Sequence, residues 1–130
     1  MAAQNVGSRK DWENVEIHTV YPKPGYVVLE MTGSIHMGPD CRRIDHEVEQ
    51  HVAKADNRIV FDLTRVTHME SAAIGLIVRT HTHLMKKGGG LRVAGAKGMV
   101  RSVLEMTQVD KVIGVFPTAS EALENLSLLG

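Results

Sequence analysis

The run Arg58-Ile-Val-Phe-Asp-Leu63 is mostly apolar instead of alternating. A strand of that kind is expected at the centre of a sheet covered on both faces. The neighbouring patterns fit such a sheet. From Trp12 to Tyr21 the residues alternate, with Val15, Ile17 and Thr19 on one side and Glu16, His18 and Val20 on the other, as in a half-buried strand. Pro22-Lys23-Pro24-Gly25 then forces a turn, and Tyr26 to Ile35 alternates again, so the two strands are expected to form a hairpin. Met37-Gly38-Pro39-Asp40 opens a helix whose stripe Cys41, Ile44, Val48, Val52 and Ala55 faces inward, with Asp40 complementing the positive helix end.

A second helix is expected to start at Ser71, burying Ile74, Ile77, Val78, Leu84 and Met85 with His81 on the same face, and to stop at Gly88-Gly89-Gly90. A strand over Leu91–Ala94, a short helix over Met99–Thr107 and a strand over Val112–Phe116 follow. Thr118 and Glu121 make a capping box for a closing helix that buries Ala122, Leu123 and Leu126. The order is ββαβαβαβα: an α/β single domain with a small mixed sheet and four helices, parallel except for the opening hairpin. Residues 1–11 are expected as a flexible lead and 12–130 as the domain; 130 residues suit one core.

Composition narrows the function. Fifteen Lys and Arg balance fifteen Asp and Glu, which removes the usual electrostatic footprint of a nucleic-acid binder. The single cysteine, Cys41, excludes an internal disulfide and a multi-thiolate zinc site. The stretch MAAQNVGSRKDWENVE has no apolar segment resembling a signal peptide, and no run approaches the roughly 18 apolar residues that span a bilayer. A cytoplasmic protein without membrane insertion is the expectation.

Catalytic constellations do not assemble. His46 and His51 stand five apart around Glu47, which turns their imidazoles about 140° from each other on a helix. His81 and His83 are two apart and lie on opposite faces, while His36 and His68 form at most a pair, so no metal is expected. Cys41 lies on the inward stripe, where cysteine is a small hydrophobe. Ser71 lacks a Gly-x-Ser-x-Gly frame, and the glycines at 88–90 follow a helix rather than precede one. No enzyme activity and no cofactor are expected.

The segment Asp62-Leu-Thr-Arg-Val-Thr-His-Met-Glu-Ser71-Ala-Ala-Ile-Gly75 is different. A buried strand ends, a short polar connection follows, and a helix begins at Ser71, at the sheet edge where parallel α/β folds meet ligands and partners. Serine there can be a structural N-cap worth about 1 kcal/mol. A phosphoryl group on the same hydroxyl would also be at ease beside the positive helix end, yet would transform the surface a partner sees.

These residues resemble the STAS domain, shared by bacterial anti-sigma factor antagonists and the cytoplasmic tails of sulfate transporters. The resemblance covers about residues 13–126 and is carried by Val28-Leu-Glu-Met-Thr-Gly33, Ile59-Val-Phe-Asp-Leu-Thr-Arg-Val-Thr67, Met69-Glu-Ser-Ala-Ala-Ile-Gly75, Lys87-Gly-Gly-Gly-Leu-Arg-Val-Ala-Gly95 and Val100-Arg-Ser-Val-Leu-Glu-Met-Thr107. In antagonists of that family the central helix starts with Asp-Ser-Ser-Gly. The first serine is phosphorylated by the anti-sigma factor, a serine kinase; the unphosphorylated antagonist binds that kinase and frees a sigma factor, and a phosphatase resets the cycle.

The resemblance implies phosphorylation at Ser71 and a partner surface formed by His36, Met37, His68, Met69, Glu70, Ala72, Ala73 and Ile74. Glu70 stands where the family has aspartate, Ala72 and Ala73 replace the second serine and the glycine, and His36 replaces a residue that is often acidic. The implied partners are an anti-sigma serine kinase and a cognate phosphatase, with a homo-oligomer left open. The rival reading is a STAS scaffold subunit of a stress-sensing or lipid-transport complex, in which Ser71 only caps a helix.

Overall fold

The computed structural model describes residues 15–129; the expected lead and the first residues of the expected opening strand, 12–14, lie outside them. Five strands form one sheet in sequence order: β1 (Val15–Lys23), β2 (Tyr26–Ile35), β3 (Arg58–Met69), β4 (Gly90–Ala94) and β5 (Val115–Phe116). The β1–β2 pair is antiparallel and the others are parallel. Among the described residues four α-helices connect or follow them: α1 (Pro39–Ala53), α2 (Ala72–Lys86), α3 (Gly98–Met106) and α4 (Ala119–Ser127). This is the mixed α/β order expected from the alternation of patterns.

The pleat sorts side chains into two cores. Val27, Leu29 and Met31 of β2, Ile59, Phe61 and Leu63 of β3, and Leu91 and Val93 of β4 pack with the inner faces of α1, α2 and α3. On the opposite face, Val28, Val60 and Ala94 pack with Ala122 and Leu126 of α4, and Val20, Tyr26, Phe116, Ala119 and Leu123 border them. The strand that reads as apolar on both sides is therefore sandwiched at its start. Beyond α4 the same face turns polar, with Glu30, Thr32, Asp62 and Thr64 lining an open hollow.

Several boundaries differ from those the sequence suggests. β1 runs to Lys23, past Pro22, which an edge strand tolerates. β3 extends to Met69: residues 64–69, expected as a polar connection, pair with the end of β2. Two register shifts against β2, one between Glu30 and Thr32 and one between Gly33 and Ser34, break the alternation and hide the strand from a period-two reading. Gly33 takes the positive φ of 105° that the second irregularity requires. β5 shrinks to Val115–Phe116, because Val109–Lys111 winds into a 3₁₀ turn that buries Val109 and leaves Val112 in solvent.

Helical faces are also redrawn. In α2 the inward residues are Ala73, Leu76, Ile77, Thr80 and Leu84, while Val78 and Met85 are exposed. Leu76 and Ala73 set the phase; Val78 follows Ile77 around to the outside. In α1 the helix ends at Ala53, so Ala55 lies beyond it and is exposed.

Both α1 and α2 end in a Schellman motif. At α2 the Gly88 N–H donates to the Met85 carbonyl (3.0 Å) and the Gly89 N–H to the Leu84 carbonyl (2.9 Å). At α1 the same two bonds run from Ala55 to Val52 and from Asp56 to His51, both 2.9 Å. The left-handed position is Gly88 in one helix, but Ala55, at φ 65°, in the other. An alanine there carries a steric penalty of roughly 1–2 kcal/mol, partly offset by the extra unfolded-state freedom of glycine. Ala55→Gly is expected to raise unfolding free energy by about 0.5–1 kcal/mol, read as a higher urea midpoint at unchanged slope.

Candidate functional site

The ends of β2 and β3 deliver two loops to one corner of the sheet. Ile35 pairs with Met69, and the Glu70 N–H extends the ladder by one bond to the Ile35 carbonyl (3.0 Å). From there each chain turns into a helix: β2 into α1 through residues 36–38, β3 into α2 through Glu70 and Ser71.

Side chains lock the two turns together. The Glu70 carboxylate accepts from the Met37 N–H at 2.8 Å. Asp40, only 2% exposed, accepts from the His36 N–H at 2.9 Å and lies 3.4 Å from the His36 Nδ1. Sequence reasoning assigned Asp40 to the helix dipole; burial and these contacts make it the anchor of the preceding loop as well. The Cys41 thiol donates to the His36 carbonyl across 3.4 Å. Burial first, then the carboxylates of Asp45 and Asp40, push its pKa up, which disfavours the thiolate a nucleophile needs. At the rim, Thr67 donates to the Gly33 carbonyl (3.3 Å) and shares a contact with His68 Nδ1 (3.1 Å).

Ser71 is the N-cap of α2 by position, but its hydroxyl makes no cap hydrogen bond. The backbone at Ser71 is already helical, at φ −60° and ψ −25°, whereas an N-cap side chain reaches back only from an extended backbone. The first turn is instead closed through main chain, with the Ala73 N–H on the Glu70 carbonyl (2.8 Å) and the Ile74 N–H on the Ser71 carbonyl (3.0 Å). Ser71 therefore stands exposed with its oxygen uncommitted to the helix. It sits at the positive end of a helix with no acidic residue in its first turn.

The other residues of the expected partner surface divide into two groups. Met37, Glu70, Ala72 and His68 are exposed, and His36 and Ile74 are half-buried. Met69 and Ala73 are 1% exposed and belong to the main core, so they are not part of the outer surface. The Ala73 methyl group is enclosed by the core, and Ser71 beside it stays exposed. The exposed side of α2 continues from Ser71 in three- and four-residue steps through Gly75, Val78 and Arg79, and Arg79 reaches Asp45 at 3.6 Å.

The histidines remain dispersed. His46 contacts Gln50 at 3.2 Å, whereas His51 is buried beside Glu47 at 3.2 Å. Among the described residues no group of three or more His, Cys, Asp or Glu side chains converges as metal ligands would, and no helix is long and apolar enough to cross a membrane.

Compared with known proteins, residues 20–122 match the STAS domain. A Thermotoga neapolitana protein provisionally named an anti-sigma factor antagonist is 28% identical over 78 residues, 60% of this chain and 69% of that protein. Among solved structures, an anti-sigma factor antagonist from Mycobacterium paratuberculosis superposes with a TM-score of 0.74 at 24% identity, covering 86% of this chain and 95% of the other. The anti-sigma factor antagonist SpoIIAA in its unphosphorylated form also reaches 0.74, at 17% identity over 86% of this chain and 96% of that one. Its phosphorylated form, described as the Bacillus cell fate determinant, gives 0.66 at 15% identity over 85% and 98%. At these identities the structural likenesses concern the fold.

Proposed function

The chain belongs to the STAS domain family, and from that membership we propose that it is an anti-sigma factor antagonist: a non-catalytic regulator that binds an anti-sigma serine kinase and is switched off by phosphorylation of Ser71. The reading is supported by the name of the Thermotoga relative and by a structural neighbour solved in both unphosphorylated and phosphorylated forms. One observation carries it here. The Ser71 hydroxyl is exposed and unused by the helix it precedes, so a kinase can take it without disturbing the fold.

In this reading Met37, Glu70, Ala72 and Ile74, with His36 and His68 at the margin, form the docking surface in the cytoplasm. A phosphoryl group transferred from ATP to the Ser71 oxygen brings nearly two negative charges next to the Glu70 carboxylate. The helix dipole stabilises that charge, which keeps the domain folded, while the partner meets a face that is much more negative. A phosphatase returns the hydroxyl.

The test is incubation with the anti-sigma kinase encoded by the same genome, plus ATP, followed by intact-mass and peptide mass spectrometry. One phosphate on the wild type and none on Ser71→Ala is expected. Equal labelling of Ser71→Ala, or no labelling of either chain, leaves the domain as a scaffold subunit with Ser71 at a helix start.

A further inference from the structure

At the other end of α2, far from Ser71, a cleft of about 520 Å³ opens between the helix C-terminus, β4, the segment after the 3₁₀ turn and α4. Its volume is in the range of small-molecule pockets. The polar wall holds Arg92, whose guanidinium donates from Nε to the Asn125 side-chain oxygen (2.6 Å) and from Nη1 to the Leu91 carbonyl (2.8 Å). Both acceptors are neutral, and among the described residues no carboxylate pairs with Arg92. A half-buried cation without a counter-ion is an unusual expense for a fold.

His81 stands on the same wall with its Nδ1 buried and without a hydrogen-bond partner. Burial, and then the charge of Arg92, lowers its pKa, which disfavours a second positive charge on this wall. Arg92 is itself pushed down by burial, yet guanidinium does not deprotonate in proteins.

Small residues keep the cleft open. A Cβ on Gly114 would stand 2.9 Å from Arg92 Cδ and 2.7 Å from the Phe116 ring; one on Gly90 would stand 3.2 Å from Arg92 Nη1. Around the mouth the chain exposes apolar side chains: Met85 at 58%, Val112 at 66% and Leu129 at 43%, with Phe116 beside them. A fixed positive group and an apolar rim together define a ligand chemistry.

We propose that this cleft binds a small carboxylic acid with an apolar body, its carboxylate on Arg92 and its hydrocarbon part against Met85, Val112, Phe116 and Leu129. Arginine offers a planar fork matched to carboxylate. The negative end of α2 opposes an anion, but amounts to about half a charge, and its last carbonyls are occupied by Gly88 and Gly89. This site is independent of the switch proposed at Ser71.

The experiment is titration of the ¹⁵N-labelled chain with benzoate, hexanoate and inorganic phosphate, followed by two-dimensional NMR. Saturable shifts with benzoate or hexanoate are expected, centred on the amides of Gly88, Gly89, Gly90 and Gly114. Arg92→Gln is expected to weaken them about tenfold through loss of the charged hydrogen bond. Met85→Glu, on an exposed side chain that cannot disturb the core, is expected to weaken them by a similar factor of about ten through charge repulsion. Absence of saturation with either acid, saturation by phosphate alone, or equal binding by the wild type and Met85→Glu each overturns the proposal.

Discussion

Ser71→Asp is expected to weaken the complex with the anti-sigma kinase about tenfold or more, while Ser71→Ala stays within about twofold of the wild type; tenfold corresponds to about 1.4 kcal/mol. The difference follows from what each substitution does to the docking face. Alanine removes an oxygen that holds nothing inside the protein, since no cap bond depends on it. Aspartate adds a charge that must be stripped of water when a partner settles over Met37, Ala72 and Ile74. An uncompensated charge buried at an interface costs about 2–5 kcal/mol, more than enough for the predicted loss.

The same charge acts on the neighbouring turn. Glu70 holds the Met37 N–H at 2.8 Å, and a second carboxylate one residue away repels it from that post. Faster amide exchange at Met37 in Ser71→Asp is expected to accompany the weaker binding. Stability should scarcely change, because an anion at a helix start gains about 0.3–1 kcal/mol from the dipole. Calorimetric titration decides the matter: equal affinity of Ser71→Asp and wild type shows that the kinase docks elsewhere.

The second large effect concerns folding. Gly89→Ala is expected to destabilise the domain by about 3 kcal/mol or more, whereas Gly88→Ala should lose roughly 1–2 kcal/mol. The two glycines are adjacent but are glycine for different reasons. Gly88 has a positive φ of 84° with nothing near its missing Cβ; alanine there suffers backbone strain alone. A Cβ on Gly89 would fall 1.9 Å from the Asn57 carbonyl oxygen, and that oxygen already accepts the Gly90 N–H at 3.1 Å.

Backbone on backbone leaves no rotamer to adjust, so the start of β3 or the end of α2 must move. Both elements belong to the main core through Ile59, Phe61 and Leu84, and displacement there opens voids that tight packing does not tolerate. Urea unfolding of the two variants measures the gap; similar losses for Gly88→Ala and Gly89→Ala would show that the contact with Asn57 relaxes at little cost.

Legibility of the sequence followed the physics of each element. Residues Tyr26–Ile35, the start of β3 and β4 announce themselves because burial on one or both faces imposes a regular pattern. Thr118 and Glu121 give away α4, where the Glu121 N–H does bond the Thr118 hydroxyl oxygen at 3.2 Å. The last half of β3 stayed hidden, since its irregular register against β2 places Thr64, Arg65, Thr67 and His68 in the open, and a ladder without an apolar rhythm looks like a loop. The phase of α2 was misread because Val78 and Met85 are as hydrophobic as the residues that truly face the sheet.

At the candidate site the sequence located Ser71 but not its state. Serine before a helix signals a cap, and only the dihedral angles of the backbone reveal that the oxygen is idle. The bond from Met37 to Glu70 spans |i−j| = 33 positions, a tertiary closure that local patterns do not encode. Which of the expected surface residues are buried also depended on packing, as Met69 and Ala73 demonstrate.

The idle oxygen of Ser71 bears on how this position can vary over evolutionary time. A capping serine is held in place by the folding equilibrium, which penalises most replacements whatever the cell requires. Here that thermodynamic filter is nearly silent, so under the proposed switch the identity of residue 71 across descendants becomes a record of whether the signalling circuit was kept or abandoned.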